Sequence, residues 1–541
     1  MSATPPEEGS FWNLFAKPEE PRADSAPSVW SLFAKEPEPL TPPPSEIYTS
    51  AQVPRDDAFF WAMRDLPVRE AMKHLLVCGC VGSGKTTAIR LFLQSIAHRF
   101  APGRSRPEHL IVFDAKGDAV PILAGLGLPP TYPNVWLLNP CDPRSAIWDV
   151  AEAVQNPVMA RALAALLVPE EKQSSAPFFA EAARELVYAV MLGLNQVASK
   201  DWTLRDLLCG VDSVEHIRAI TSHHPGAARL AARFLNDEKH SSSIISTLAA
   251  KLGRFEQVAA LWHSHENPRR FRLRGTPDNP GFLDEPGVLI LGNDPVVRES
   301  FWPLNAILLK ALVHEVLRQP ETFEPRFWFV LDEFRAMERV DCIHDLLNRG
   351  RSKGASVLLG IQSVEGIMEV YGENGATDLL SQCGTKVFLR AGGPKTAEWI
   401  ESYFSKVRQI EESYSRTESA ELKTSDSVQY SLQERSMFLA SYFLNLPLPT
   451  PGGDYVAVCD VPYLGETVVV HRDFDQVLNT QCPPAQMSDM PARDDAADQT
   501  LWPWNTEEEE RFCAPAKPPE PPAAKRQLPP RHNVSGDSNE H

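Results

Sequence analysis

The chain has 541 residues, an ordinary apolar content of 43% and a formal net charge of −18. That length allows about two to four domains with sizeable cores. The acidic balance excludes broad coating of nucleic acid, so any nucleic-acid contact has to run along a local basic lining.

Nine cysteines and no C-x-x-C pair fit a reducing cytosol better than a disulfide scaffold or a cysteine metal site. No apolar run approaches the roughly 18 residues of a membrane-spanning helix, and the Pro- and Glu-rich start is not a secretory leader. A cytoplasmic protein without an integral membrane segment is expected.

Residues 1–50 read as a disordered Pro- and Glu-rich tail with an internal repeat. Ser10-Phe11-Trp12-Asn13-Leu14-Phe15-Ala16-Lys17 recurs as Ser28-Val29-Trp30-Ser31-Leu32-Phe33-Ala34-Lys35. Trp12, Leu14, Phe15, Trp30, Leu32 and Phe33 are costly to leave in water and favourable to bury in a groove, so two copies on a tether suit docking peptides with avidity. Folding back onto the chain's own domain is the alternative.

The α/β core begins over 51–150. An apolar run from His74 to Cys78 leads into Gly79-Cys80-Val81-Gly82-Ser83-Gly84-Lys85-Thr86, which fits G-x-x-x-x-G-K-[ST] and opens a helical pattern to about Phe100. Strand, glycine-rich loop and helix are the context this motif requires. Gly79, Gly82, Ser83, Gly84 and the residues through Thr87 would turn backbone N–H groups towards phosphate. Lys85 would reach the β- and γ-phosphates of ATP, and the Thr86 hydroxyl would ligate Mg²⁺. Cys80, inside the loop, carries no role. The apolar runs His109–Asp114 and Val135–Leu138 read as further strands, with Asp114 and Lys116 at a strand end. Strands alternating with helices imply a mainly parallel sheet with ligands at the carboxyl ends of its strands.

From 151 to 282 the strand signal disappears and helical patterns replace it, at Phe178–Asn195, Ala227–Asn236 and Ser243–Trp262, with Ser241, Ser242 and Ser243 as candidate N-caps for the last. This reads as an all-helical insertion. Near its end stand Arg269, Arg270, Arg272 and Arg274, with Lys251 and Arg254 upstream. They suit a nucleic-acid path and equally a solvated charged face.

The core resumes over 283–482. Phe327 to Leu331 leads to Asp332 and Glu333, the form of a Walker B strand: Asp332 for the Mg²⁺ shell, Glu333 to polarise the attacking water. Gln362 follows the next strand and would sense the γ-phosphate. Arg351 would serve a neighbouring subunit as an arginine finger or, alternatively, form a salt bridge. Residues 407–430 read as a long surface loop, Leu432–Phe443 as a helix and Tyr455–Val469 as a small β-ribbon. From 483 to 541 the chain reads as a disordered acidic, Pro-rich tail, in which Leu501-Trp502-Pro503-Trp504 and Glu507 to Glu510 are either a third docking peptide or a loose end.

Taken in order, these residues resemble the cytosolic motor of type IV secretion coupling proteins, the TraG/TraD class of conjugative ATPases. The resemblance covers roughly 70–480. It rests on the phosphate loop, Phe113-Asp114-Ala115-Lys116-Gly117, Asn139-Pro140 with Trp148, the helical insertion, Leu331-Asp332-Glu333, Gly350-Arg351-Ser352-Lys353-Gly354 and Ile361-Gln362-Ser363. It implies a RecA-like P-loop ATPase that assembles as a homo-oligomer, usually a hexameric ring, and moves DNA with a bound relaxase through a central pore towards a secretion channel. It also implies that Gln362 is the sensor amide and Arg351 the trans-acting arginine. Most members of the class start with transmembrane helices, and no such run stands here; attachment at the inner membrane would then pass through a partner. A non-conjugative DNA translocase and an ATP-gated recruitment adaptor for secreted proteins are the competing readings.

Overall fold

The computed structural model describes residues 49–104, 106–170, 177–263, 269–276, 279–295, 297–404, 406–418, 424–486 and 501–515. The two Trp-x-Leu-Phe repeats, with Trp12, Leu14, Phe15, Trp30, Leu32 and Phe33, lie outside the described residues.

Nine strands form the central sheet: β1 (Leu75–Cys78), β2 (His109–Asp114), β3 (Val135–Leu138), β4 (Gly287–Gly292), β5 (Phe327–Leu331), β6 (Ala355–Ile361), β7 (Thr385–Phe388), β8 (Asp454–Val461) and β9 (Glu466–Asp473). Their order is β9-β8-β7-β1-β6-β5-β2-β4-β3. From β7 to β3 every neighbouring pair is parallel. The hairpin β8–β9 adds antiparallel at the β7 edge, so the expected small ribbon is part of the main sheet. The strands of a parallel sheet are covered on both faces and therefore read as unbroken apolar runs. Side chains along β2 show the two faces: Ile111 and Phe113 join a core shared with the helical region, while Leu110 and Val112 join a second core under the helix Lys85–Ile96. This is the RecA-like P-loop architecture with an inserted helical region. β6 lies between β1 and β5, which places the phosphate loop and the Asp332–Glu333 pair at one edge, a single strand apart.

The helical excursion leaves at Ile147–Trp148 and returns at Arg270–Phe271, and these two short strands pair with each other. Between them run the helices Pro157–Leu167, Pro177–Ala198, Leu204–Gly210, Val214–Ser222, Pro225–Leu235, Glu238–Leu252 and Glu256–His263. Local chemistry sets several starts. Asn156 caps a helix with Pro157 at its first position, and Thr203 and Asp206 form a reciprocal capping box. The helix expected from Ser243 starts earlier, because Asp237 accepts from the N–H groups of Lys239 and His240 and takes the capping role assigned to the serines. A turn at Gly253–Phe255 then separates it from Glu256–His263.

Two expectations fail by their patterning. The loop expected over 407–430 is a hairpin, Lys406–Glu418 paired antiparallel with Thr424–Ser436, and the helix expected from Leu432 is confined to Ala440–Asn445. The segment is rich in Ser, Thr and Glu, a composition that reads as loop rather than strand. The tail expected over 483–541 is also ordered in part, because residues 501–515 carry a helix, Thr506–Cys513, and pack on the helical insert. Among the described residues no helix is long and apolar enough to cross a membrane.

Candidate active site

β1 ends at Cys78, and the loop that follows is fastened on both sides. Gly79 N–H donates to Ile361 O at 3.1 Å, and Cys80 N–H donates to Arg390 O at 2.8 Å, so the loop hangs from the ends of β6 and β7. Gly84 enters the helix with φ +95°, and a Cβ there would meet the Tyr455 ring at 2.7 Å. Both its left-handed backbone and the close approach require glycine. Lys85 starts the helix and is buried, with its ammonium donating to Gly79 O (2.8 Å) and Cys80 O (3.2 Å). Burial lowers its pKa, and the field of Glu333 and Asp332 opposes that shift.

Across the edge, β5 delivers Asp332 and Glu333. Glu333 sits at φ +56°, an unusual backbone for a residue with a side chain. Its carboxylate accepts from Gln362 Nε2 at 2.5 Å and lies 3.3 Å from Lys116 Nζ. Lys116 Nζ also bonds Asp332 Oδ2 at 2.8 Å. Gly360 on β6 leaves the space Asp332 occupies, since a Cβ there would fall 2.7 Å from Asp332 Oδ1. Lys116 is aimed by Asp114, whose buried carboxylate accepts from the N–H groups of Gly117, Asp118 and Ala119 and so shapes the turn. Burial raises the pKa of Asp114. Burial alone would lower that of Lys116, but Asp332 and Glu333 carry it upwards. A cavity of about 500 Å³ adjoins this turn at the carboxyl ends of β2, β3 and β4, with Lys116, Asn139, Asp142 and Arg144 among its lining residues. Open α/β sheets bind ligands along this edge.

The oxygen donors at this edge fit a hard cation: the Thr86 hydroxyl at the loop and the Asp332 carboxylate opposite. The donors that would take phosphate are the loop N–H groups and Lys85. Sequence reasoning named Lys85, Thr86, Asp332, Glu333 and Gln362, and the fold brings them to one edge. It gave Lys116 no role, although a lysine two residues past a buried strand end is the available signal.

Arg351 stands elsewhere. It is exposed in the turn before β6, whose seven residues cover about 23 Å, so it lies at the opposite edge from its own phosphate loop. Its charge is felt by His74, which is buried at the start of β1 between Leu347 O and Val357 N–H. Burial, with a contribution from Arg351, pushes the His74 pKa down to about 4.

Arg269, Arg270 and Arg272 of the basic cluster line an open cleft of about 420 Å³, and several of the cluster's arginines are also engaged internally. Arg269 donates to the carbonyls of Pro133 (2.6 Å) and Val135 (2.9 Å) and stacks 4.2 Å over Trp136. Arg272 bonds buried Asp149 at 2.8 Å, and Arg274 pairs with Asp284 and Glu315. Arg254 lies over Phe255 and donates to Leu167 O. Arg270 is exposed, and Lys251 ends the helix Glu238–Leu252. Arg269, Arg272 and Arg274 thus fasten the return of the helical excursion.

Comparison with known proteins gives the same architecture. The coupling protein TraD of Escherichia coli (strain K12) is 25% identical over 342 residues, 62% of this chain; the match spans less than half of TraD, 44%. The bacterial conjugative coupling protein TrwBΔN70 in its unbound form superposes with a TM-score of 0.57 at 19% identity, over 83% of this chain and 92% of that one. TrwB in complex with ADP and Mg²⁺ gives 0.54 at 19% identity, over 83% and 94%. These solved structures share the fold. The family described as the type IV secretion-system coupling protein DNA-binding domain matches residues 62–460, which include the phosphate loop, the helical insert and the acid pair, and the chain belongs to that family.

Proposed function

We propose that the chain hydrolyses ATP with Mg²⁺ at subunit interfaces of a hexameric ring, and uses the cycle to move DNA with a bound relaxase towards a type IV secretion channel. The observation that carries this is the convergence at one sheet edge of Lys85 with the cluster Lys116–Asp332–Glu333–Gln362. TrwB has been solved with ADP and Mg²⁺ and with a non-hydrolysable ATP analogue, on the same fold.

Thr86 and Asp332 would hold the ion, whose chemistry there is to neutralise charge on the phosphates. Lys85 exchanges the carbonyls of Gly79 and Cys80 for phosphate oxygens. Lys116 releases Asp332. Glu333 takes a proton from the attacking water, and Gln362, already bonded to Glu333, fixes the orientation of that water. Arg351, too far from its own loop, would act from a neighbouring copy on the transferring phosphoryl group. With most of the insert's arginines engaged internally, contact with DNA falls to other residues lining the pore. The Trp-x-Leu-Phe repeats would dock the protein on a membrane partner, and deleting residues 1–50 should then release it from membranes without lowering ATPase activity.

Steady-state ATPase on size-fractionated protein, with and without DNA, tests the motor. Turnover that DNA stimulates in an oligomeric fraction is the expected result, with Lys85→Ala at background. ATP binding without turnover under either condition overturns it in favour of an ATP-gated adaptor.

A further inference from the structure

The segment 501–515 is held by the helical insert through a buried guanidinium and a buried carboxylate. Arg205 has only 4% of its surface exposed. Its guanidinium donates to Trp502 O (2.9 Å) and Pro503 O (2.8 Å), and to Glu508 Oε1 and Oε2 (2.9 and 3.0 Å). Trp504 is buried, its indole N–H donates to Asp206 Oδ1 at 2.8 Å, and its ring stacks on Phe512 at 5.0 Å and faces His216 at 5.2 Å. The contact extends to Arg511 with Asp201 (2.7 Å) and Ala514 O with the His223 ring (2.8 Å).

Two features mark this as a receptor surface rather than ordinary core. First, the recognition is linear: residues 502–508 provide an indole, two carbonyls and one carboxylate, and the insert provides the matching acceptor and guanidinium. A buried guanidinium is costly without such partners, so Arg205 and Asp206 are built for a peptide of this chemistry. Second, the occupant does not fill the site. A cavity of about 240 Å³ lies between it and the insert, lined by Leu208, Val211, Leu248 and Leu252, while Trp502 is 63% exposed.

We propose that the groove between the helices Leu204–Gly210, Val214–Ser222 and Glu238–Leu252 is a peptide-recognition site, that residues 501–515 are its built-in occupant, and that a partner protein takes the same place by presenting a tryptophan followed one helical turn later by a carboxylate. Of the side chains facing the occupant, Arg205 selects a carboxylate at the Glu508 position, Asp206 an indole N–H and Asp201 the Arg511 guanidinium, so the groove matches a tryptophan and a carboxylate at set spacing rather than net charge. Because the chain's own copy is tethered, its effective concentration is high, and an incoming peptide competes against it.

The test uses the full chain and a fluorescent synthetic peptide of residues 501–515. Trp504→Ala with Glu508→Lys unseats the tethered copy, so this variant should bind the free peptide at least about tenfold more tightly than the unmodified chain. Adding Arg205→Ala should abolish that binding. Hydrogen exchange on the unmodified chain is the second measurement: millimolar unlabelled peptide should strip protection from Thr506–Cys513 and leave that of Leu204–Gly210. A carrier protein bearing the 501–511 sequence at its C-terminus should compete as the free peptide does. Equal affinity for both forms, no binding to either, or exchange of Thr506–Cys513 that peptide never changes would make the segment a fixed part of the fold and overturn the proposal. Concentration-dependent dimers linked by exchanged segments, seen by ultracentrifugation, would assign the groove to a second copy and overturn the partner.

Discussion

At the carboxyl edge of the sheet, Lys116 bridges Asp332 and Glu333 while its own side chain stays 37% exposed. Where the helical excursion rejoins the sheet, Arg272 bonds an Asp149 carboxylate that is 1% exposed, and Arg269 donates to backbone carbonyls of the segment 130–135 while covering Trp136. Both places gather charge, with opposite consequences. At the edge, Asp332 and Glu333 keep 16% and 14% of their side chains exposed and Glu333 also has Gln362 as a partner, so a metal ion or a phosphate can take over from Lys116. At the clasp, Arg272 supplies the bond to Asp149 Oδ2 inside a nearly fully buried carboxylate, and removing it costs the desolvation of that oxygen. A cation on this chain is available for function where its partners can do without it. Counting arginines in the sequence does not reveal which kind each one is.

The sharpest way to break that comparison is at Glu333. On the proposed mechanism, Glu333→Gln lowers kcat by about a thousandfold, the range for loss of a general base, and leaves nucleotide binding in place, as read by fluorescent-nucleotide titration. Normal turnover in this variant would remove the base and, with it, the claim that the edge is the reactive place. Arg351 comes next. Arg351→Ala should cost about a hundredfold in kcat, within the range of losing a single charge-stabilising donor. Mixed with Lys85→Ala it should regain activity, because some interfaces then combine an intact loop with an intact arginine. Failure of the mixture to recover would leave Arg351 as a cation that acts only on its own chain, near His74.

Much of the edge is legible in sequence because buried parallel strands announce themselves. His109–Asp114 and Phe327–Leu331 are apolar runs closed by acids, and the loop after Cys78 has its own spacing. The contact between Lys116 and Asp332 is not legible, because it depends on β2 and β5 lying side by side, and strand order is a property of the whole sheet. Nor is Gly360 legible, since its reason is a carboxylate on the neighbouring strand. The 501–515 segment was hidden more deeply. Proline and a run of four glutamates look like a solvated end, and the residue that orders them, Arg205, is about three hundred positions away. The polar hairpin Lys406–Glu418 with Thr424–Ser436 was hidden for the opposite reason: its signal is local, but its composition is that of a loop.

The clasp side of the comparison is tested by stability. Arg272→Ala should cost about 2 kcal/mol in denaturant unfolding, since it takes from a buried carboxylate its guanidinium partner, itself one-third exposed, and leaves it only the Glu152 N–H among the described residues. It should leave any DNA affinity unchanged. Arg270→Ala, at an exposed position, should change stability by less than about 0.5 kcal/mol. If Arg272→Ala weakens DNA binding while stability holds, the arginine belongs with the edge residues and the division drawn above fails.

A small effect is expected at Lys116, and it is the most discriminating, because Mg²⁺ affinity and turnover together separate its roles. If the ammonium merely competes with the metal ion for Asp332, Lys116→Met removes the competitor. The apparent affinity for Mg²⁺ in the presence of ADP, followed by calorimetry, should then rise by about fivefold, the size of an exposed charge interaction near 1 kcal/mol. If Lys116 also swings onto the substrate once displaced, the same variant should bind the ion more tightly and yet turn over several-fold more slowly. Tighter binding with unchanged turnover would limit Lys116 to holding the empty site together. No change in either would reduce its bonds to Asp332 and Glu333 to an idle surface ion pair. Asp114 controls the comparison: Asp114→Asn keeps acceptor capacity for the 114–119 turn but weakens its three N–H bonds, so it should shift Mg²⁺ affinity in the same direction as Lys116→Met and by less.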